Sequence, residues 1–231
     1  MQNILITGTS RGLGYEFAKQ FAEQGNRVYA TCRNSERADK LNAVAEASSG
    51  KLTVHEMDIG DADSVKSFKS ELGMTPIDIL IHNAGVWGGL ETQVFANMDY
   101  DNWAYELNIM LMGPFRVTQA FIDNVRASKQ RKIVTLTSQV AAHSYEKIIG
   151  YSYAAAKAGL NRCMTSLARE LADENIIITL LHPGWVRTDM AGPVADTDTP
   201  EAAADNIKLI NGLTMKESGR FMKWNGEEHP W

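Results

Sequence analysis

Apolar residues recur along this chain in two alternating rhythms. Short continuous runs, many of them β-branched, occupy residues 4–7, 27–31, 51–55, 77–81, 132–136 and 176–181, a length and continuity that fit strands buried on both faces. Between them apolar positions return every three or four residues over 13–24, 35–47, 62–72, 101–127 and 151–172, which predicts helices. Strand then helix, repeated, predicts an α/β fold with a doubly wound parallel sheet of about seven strands and helices on both faces. Local signals punctuate the pattern. Gly25 ends the first helical stretch, and Thr199-Pro200-Glu201 opens another helix near Ala202.

With 231 residues and 44% hydrophobic content, the chain is long enough for one sizeable core, so residues 1–231 read as a single domain. The net charge of −5 comes from intermingled acids and bases, and without a basic tract neither nucleic acid nor an anionic membrane is an expected partner. Cys32 and Cys163 stand apart with no CxxC, while His55, His143 and His229 lack metal-ligand spacing; neither a disulfide framework nor a metal site is expected. The first strand begins near Asn3 and no apolar run approaches ~18 residues, so the expected location is the cytoplasm. Residues 191–199, rich in Gly, Pro, Asp and Thr, read as a mobile surface segment.

The chemistry begins where the first strand meets the first helix. Thr7-Gly8-Thr9-Ser10-Arg11-Gly12-Leu13-Gly14 would aim unpaired N–H groups and the positive end of a helix at an anion. Gly8 suits a tight turn, Gly12 a close approach of pyrophosphate, and Gly14 close packing of helix on strand. The spacing is G-x-x-x-G-x-G, and a glycine-rich turn by itself also serves as a plain strand-to-helix connection. In dinucleotide folds an acid after the second strand binds both ribose hydroxyls, whereas a cation accommodates a 2′-phosphate. Here the strand ends Thr31-Cys32-Arg33, without an acid. Arg33, with Arg11 from the turn, favours NADP (NADPH) over NAD; the alternative is two solvated surface cations.

Downstream, Tyr153 and Lys157 are four apart on a predicted helix and share a face. A tyrosine with an ordinary pKa of about 10 needs a neighbouring ammonium to exchange a proton near neutrality. Tyr151 competes, but four residues on it meets Ala155; Tyr153 is preferred, with residues 146–150 as an extended loop. Ser138 follows a strand end, where its hydroxyl would support a substrate oxygen. Thr137 offers a rival hydroxyl, and either could cap backbone instead. Asn108 interrupts the long helical stretch as a mediocre helix former.

In these motifs, taken in order, the chain resembles the short-chain dehydrogenase/reductase family: Thr7-Gly8 through Gly14, Asp58-Ile59, Asn83-Ala84-Gly85, Asn108, Ser138, Tyr153 with Lys157, and Pro183-Gly184 with Val186 and Thr188. The opening Ile-Leu-Ile-Thr-Gly, Thr31-Cys32-Arg33-Asn34 and the closing Gly219-Arg220-Phe221 through Trp231 look like carbonyl-reductase-like or C-factor-like members. The resemblance implies a Rossmann-type fold and a catalytic set of Asn108, Ser138, Tyr153 and Lys157. It also implies cofactor contacts at Gly8, Ser10, Arg11, Gly12, Leu13, Gly14, Arg33, Tyr153 and Lys157. Asp58 would meet the adenine amino group, backbone at Ile59 the ring, and Asn83-Ala84-Gly85 the sheet beside the adenosine ribose. Pro183, Gly184, Val186 and Thr188 would meet the nicotinamide end. In the family such an asparagine as Asn108 holds a water that links the lysine to solvent, and Ser138 is favoured over Thr137. His82 replaces the family's usual asparagine and reads as a packed histidine.

The expected activity is NADP-dependent hydride transfer between nicotinamide and a ketone or aldehyde, or the corresponding alcohol, with residues 185–200 as a substrate lid lined by Trp185 and Met190. Trp87 is a further pocket candidate. A second reading is an NADP-binding signalling or regulatory protein of the C-factor type with secondary reductase activity. A sugar-nucleotide epimerase fits less well, because the chain lacks the added length of a substrate domain. The long helices resemble those through which family members pair, so a homo-oligomer is expected.

Overall fold

The computed structural model of the chain describes every residue except Ile148 and Pro193. Seven strands form one parallel sheet: β1 (Asn3–Thr7), β2 (Arg27–Cys32), β3 (Leu52–Glu56), β4 (Ile79–His82), β5 (Lys132–Leu136), β6 (Ile177–His182) and β7 (Phe221–Lys223). Their spatial order is β7-β6-β5-β4-β1-β2-β3. The order reverses between β1 and β4, and in open sheets of this kind ligands bind in the crevice outside the strand ends at that reversal.

Both sheet faces are covered, which is why the strands read as continuous apolar runs. Ile4 and Ile6 face a layer built on α1 (Gly12–Glu23), α2 (Asp39–Ala47) and α7 (Thr199–Gly212). Leu5 faces the opposite layer, of α3 (Ala62–Leu72), α4 (Tyr100–Leu107), α5 (Gly113–Arg126) and α6 (Tyr151–Glu170). Phe17 and Phe21, four apart on α1, are fully buried, each contributing about 1.5–3 kcal/mol by leaving water. Gly25 takes φ +85° just past α1, and Pro200 sits in the first turn of α7, as the sequence predicts.

Three features depart from the sequence pattern. The helix expected from residue 35 starts at Asp39, because the Asn34 side chain accepts from Arg37 N (3.0 Å) and Asn42 donates to Ser35 O (2.8 Å), closing a turn first. The single helix expected over 101–127 is broken by a π turn, Asn108–Met112, between α4 and α5. Pro114 follows directly and lacks the N–H that would continue the α ladder. Gly113 lies against the preceding crossover, where an added Cβ would come within 2.9 Å of Ile59. The seventh strand was not assigned from the sequence, since β7 has only three residues and is too short to show a period.

Among the described residues no helix is long and apolar enough to cross a membrane, and no group of acids, histidines and cysteines could hold a metal. Cys32 and Cys163 are both free.

Candidate active site

The glycine turn is built from both sides. Thr31 O accepts from Gly8 N (2.9 Å), Thr9 N (3.0 Å) and Thr9 Oγ1 (3.0 Å), tying the turn to β2. From β4, Asn83 Nδ2 donates to Thr7 O (2.9 Å) and Gly8 O (2.8 Å), while Thr7 Oγ1 accepts from Asn83 N and Ala84 N. Asn83 and Ala84 therefore clamp the turn. Gly8 has φ +72°, and a Cβ there would lie 2.6 Å from Ala84 Cα. At Gly14 an added Cβ would meet Asn83 Nδ2 at 2.2 Å and Gly8 O at 2.3 Å. Gly14→Ala is expected to lower stability by about 1–3 kcal/mol through overpacking, read as a drop in thermal midpoint; an unchanged midpoint would contradict this packing.

Arg11 precedes α1 without capping it, so the first-turn N–H groups remain donors for an anion. They open onto a crevice of about 1450 Å³, larger than a usual single-ligand pocket of about 300–1,000 Å³. Every catalytic and cofactor-contact residue that the resemblance implied lines it except Asn108. Ser10, Arg11, Arg33 and Lys40 all line it. Arg33 Nη1 donates to the Tyr105 hydroxyl (2.7 Å), and Arg11 pairs with Asp189 across the crevice (2.8 Å). Asp58 holds its own turn by accepting from Gly60 N (2.8 Å). Lys40 was missed in the sequence, where a lysine opening an amphipathic helix looks like an ordinary solvated cation.

The ends of β5 and α6 bring Ser138, Tyr153 and Lys157 together on the crevice wall. Lys157 Nζ donates to Leu136 O (2.9 Å) and lies 5.9 Å from the Tyr153 ring centroid. That bond uses one of its three N–H donors, leaving two for a ligand. Burial brings Lys157 down to about 8. Tyr153 is pushed up to about 12, chiefly by burial, with the Glu106 carboxylate adding to the rise and the Ser138 hydroxyl opposing it. Ser138 thus faces the phenol; it also accepts from Val140 N (3.4 Å) as the cap of a short 3₁₀ turn. Thr137 lines the crevice too, with its hydroxyl buried and unpartnered among the described residues. Tyr151 is exposed and off the crevice wall. Residues 146–150 contain no regular element among those described, Ile148 lying outside the description.

Asn108 stands elsewhere. Its Nδ2 donates to Gly60 O (3.0 Å) and its Oδ1 accepts from Arg116 Nη2 (3.1 Å), so the amide ties the π turn to the crossover after β3 and to α5. His82 is packed as expected, 2.8 Å from Thr118 Oγ1 and lowered by burial to about 3. His182 ends β6 on the crevice wall, lowered to about 4 by burial and by His229 and Lys223.

The segment after Gly184 is anchored at its base. Val186–Arg187 pairs with Thr197–Asp198, Arg187 binds Asp198 and Ala195 O, and Thr199 Oγ1 donates to Arg187 O (2.7 Å). The sequence reading of 191–199 as one surface loop missed this ladder. Pro193, within the expected lid, lies outside the described residues.

Three comparisons place this geometry. The sequence model described as short chain dehydrogenase matches residues 2–199. The C-signal protein of Myxococcus xanthus is 36% identical over 168 residues, covering 72% of this chain and 100% of that protein. An NADPH-bound carbonyl reductase from chicken fatty liver superposes with a TM-score of 0.91 at 25% identity, over 100% of this chain and 99% of that one. A carbonyl reductase from Pseudomonas aeruginosa PAO1 gives 0.89 at 30% identity, with 100% of both chains covered. The chain belongs to the short-chain dehydrogenase family of nicotinamide-dependent oxidoreductases.

Proposed function

We propose that the chain is an NADP-dependent carbonyl reductase, moving a hydride between NADPH and a ketone or aldehyde, or in reverse from a secondary alcohol. One observation carries the reading: Ser138, Tyr153 and Lys157 share a crevice with the cations Arg11 and Arg33, and the end of β2, Thr31-Cys32-Arg33, carries no acid. The residues fit the cofactor. The open N–H groups of α1, from Gly12, Leu13 and Gly14, suit its pyrophosphate. Ser10, Arg11 and Arg33 suit a 2′-phosphate; Asp58, Ile59 and the Asn83-Ala84-Gly85 turn suit the adenosine; Pro183, Gly184, Val186 and Thr188 suit the nicotinamide end. The nicotinamide supplies the hydride.

The chain's own residues supply position and proton. Ser138 donates to the substrate oxygen and stabilises the charge that develops there. Tyr153, held protonated by its raised pKa, delivers its proton to that oxygen. Lys157 binds the nicotinamide ribose with its spare donors, and its ammonium favours proton loss from Tyr153. Asn108 supports the relay by which the proton returns, its amide holding the π turn against Gly60. Residues 185–200 serve as the lid, with Arg11 and Asp189 pairing across its closing edge.

Lys157 sets the expected pH dependence. Its pKa is lowered to about 8, so the ammonium is present below that pH and lost above it. Carbonyl reduction is expected to fall as pH rises through about 8, and alcohol oxidation, which needs the Tyr153 phenolate that this ammonium favours, to gain no rate there. Rate profiles in both directions check this; a reductive rate that stays flat between about pH 7 and 10 would contradict it.

The 36% identity to the C-signal protein motivates a second reading, a signalling protein whose reductase activity is secondary. It predicts that a Tyr153→Phe protein still serves the cellular role. The exposed Tyr105, Met112 and Phe115 along α4 and α5 support a homo-oligomer, which mass in solution measures.

A further inference from the structure

The start of α6 carries Tyr153 and has no cap of its own. Gly150 occupies the cap position with φ +44° and no side chain, leaving the N–H of Tyr153, third in the helix, without the usual local acceptor. Gln93 supplies one from 60 residues away, its Oε1 accepting from Tyr153 N at 3.0 Å. Gln93 is in turn fixed by Glu106, which accepts from Gln93 Nε2 at 3.0 Å. The same carboxylate accepts from Ser152 Oγ (2.5 Å) and from Gly88 N (2.8 Å).

Glu106 is fully buried and Gln93 is 1% exposed. A buried carboxylate is costly unless its lone pairs are met, and here three donors meet them. The surroundings are shaped for this arrangement. A Cβ at Gly150 would come within 2.4 Å of Gln93 Oε1 and 2.9 Å of Trp87, and one at Gly88 within 2.1 Å of Asn102. Trp87 stands edge-on to the Tyr153 ring, their centroids 5.3 Å apart. The Tyr153 phenol is thus bounded by Trp87 on the Glu106-tied loop, by Ser138 and by Lys157.

We propose that Glu106, acting through Gln93 and Ser152, is a positioning residue for proton transfer, holding Tyr153 and the loop carrying Trp87 in the arrangement that reduction requires. The proposal rests on the reductase reading above. Glu106 touches neither crevice nor cofactor wall, so its removal acts on the proton step through Tyr153. A displacement of about 1 Å at a reacting group can cost on the order of 100-fold in rate.

The test compares E106Q and S152A with wild type, each also in a Tyr153→Phe background, by kcat, KM and NADPH affinity in carbonyl reduction. The expected result is a kcat lowered about tenfold or more in E106Q and several-fold in S152A, with NADPH affinity and KM held within about twofold and no further loss on top of Tyr153→Phe. The exchanged pair E106Q/Q93E keeps an acceptor for Tyr153 N and is expected to recover most of the kcat lost in E106Q. Wild-type kcat in both single variants overturns the proposal, as does a loss that tracks NADPH affinity or repeats in the Tyr153→Phe background. Should E106Q fail to fold, S152A decides by the same criteria. A wild-type protein inactive towards carbonyls would instead remove the reductase reading, a separate outcome.

Discussion

Tyr153→Phe is expected to lower kcat for carbonyl reduction by about 10²–10⁴, the usual worth of a positioned acid or base, while leaving NADPH binding nearly unchanged. The substitution deletes one hydroxyl and keeps the ring that packs edge-on against Trp87. The crevice wall and the backbone bond from Tyr153 N to Gln93 survive it, because neither uses the phenol oxygen. What disappears is the proton donor facing Ser138. Initial rates together with NADPH titration separate the two effects. A fully active Tyr153→Phe protein would remove Tyr153 from the mechanism; a parallel loss of NADPH affinity would make its role one of binding.

Arg33→Asp is expected to reverse the cofactor preference. In the protein Arg33 leaves the end of β2 and is held by the Tyr105 hydroxyl at 2.7 Å, and it lines the crevice, as Arg11 and Lys40 do. A hydrogen bond to a charged group contributes about 1.5–3 kcal/mol, so losing the pair with a 2′-phosphate costs NADPH on the order of 10- to 100-fold in affinity. The new carboxylate adds repulsion towards that phosphate and offers NADH an acceptor for its ribose hydroxyls. The ratio of the two dissociation constants reads the outcome directly. A ratio unmoved by the substitution would return Arg33 to the status of a surface cation.

Both predictions stand on residues visible in the sequence, and the reason is local. Tyr153 and Lys157 sit one helical turn apart, and the glycine turn joins one strand to the next helix, so short-range spacing suffices to place them. Strands buried on both faces announce themselves as apolar runs, which is why six of the seven were legible and three-residue β7 was not. The break in the long helix depended on how Asn108 meets Gly60, 48 residues away.

Glu106 was illegible for a related reason. A glutamate on an amphipathic helix looks like a solvated residue, and only the packing of α4 against the start of α6 and the loop at Gly88 buries it. Tyr105 beside Arg33 is the same case, joining positions 72 apart in the chain. Chemistry carried by neighbours in sequence was readable; chemistry assembled by tertiary contact was not.

The central claim is that this crevice passes a hydride from NADPH to a carbonyl carbon with Tyr153 supplying the proton. Incubating the protein with NADPH deuterated at the transferring position of its nicotinamide and a panel of ketones and aldehydes, then analysing products by mass spectrometry, tests it most directly. The account predicts an alcohol bearing the deuterium on its former carbonyl carbon, formed by wild type and suppressed in Tyr153→Phe. No labelled alcohol from any member of the panel, or equal labelling by the two proteins, would contradict it.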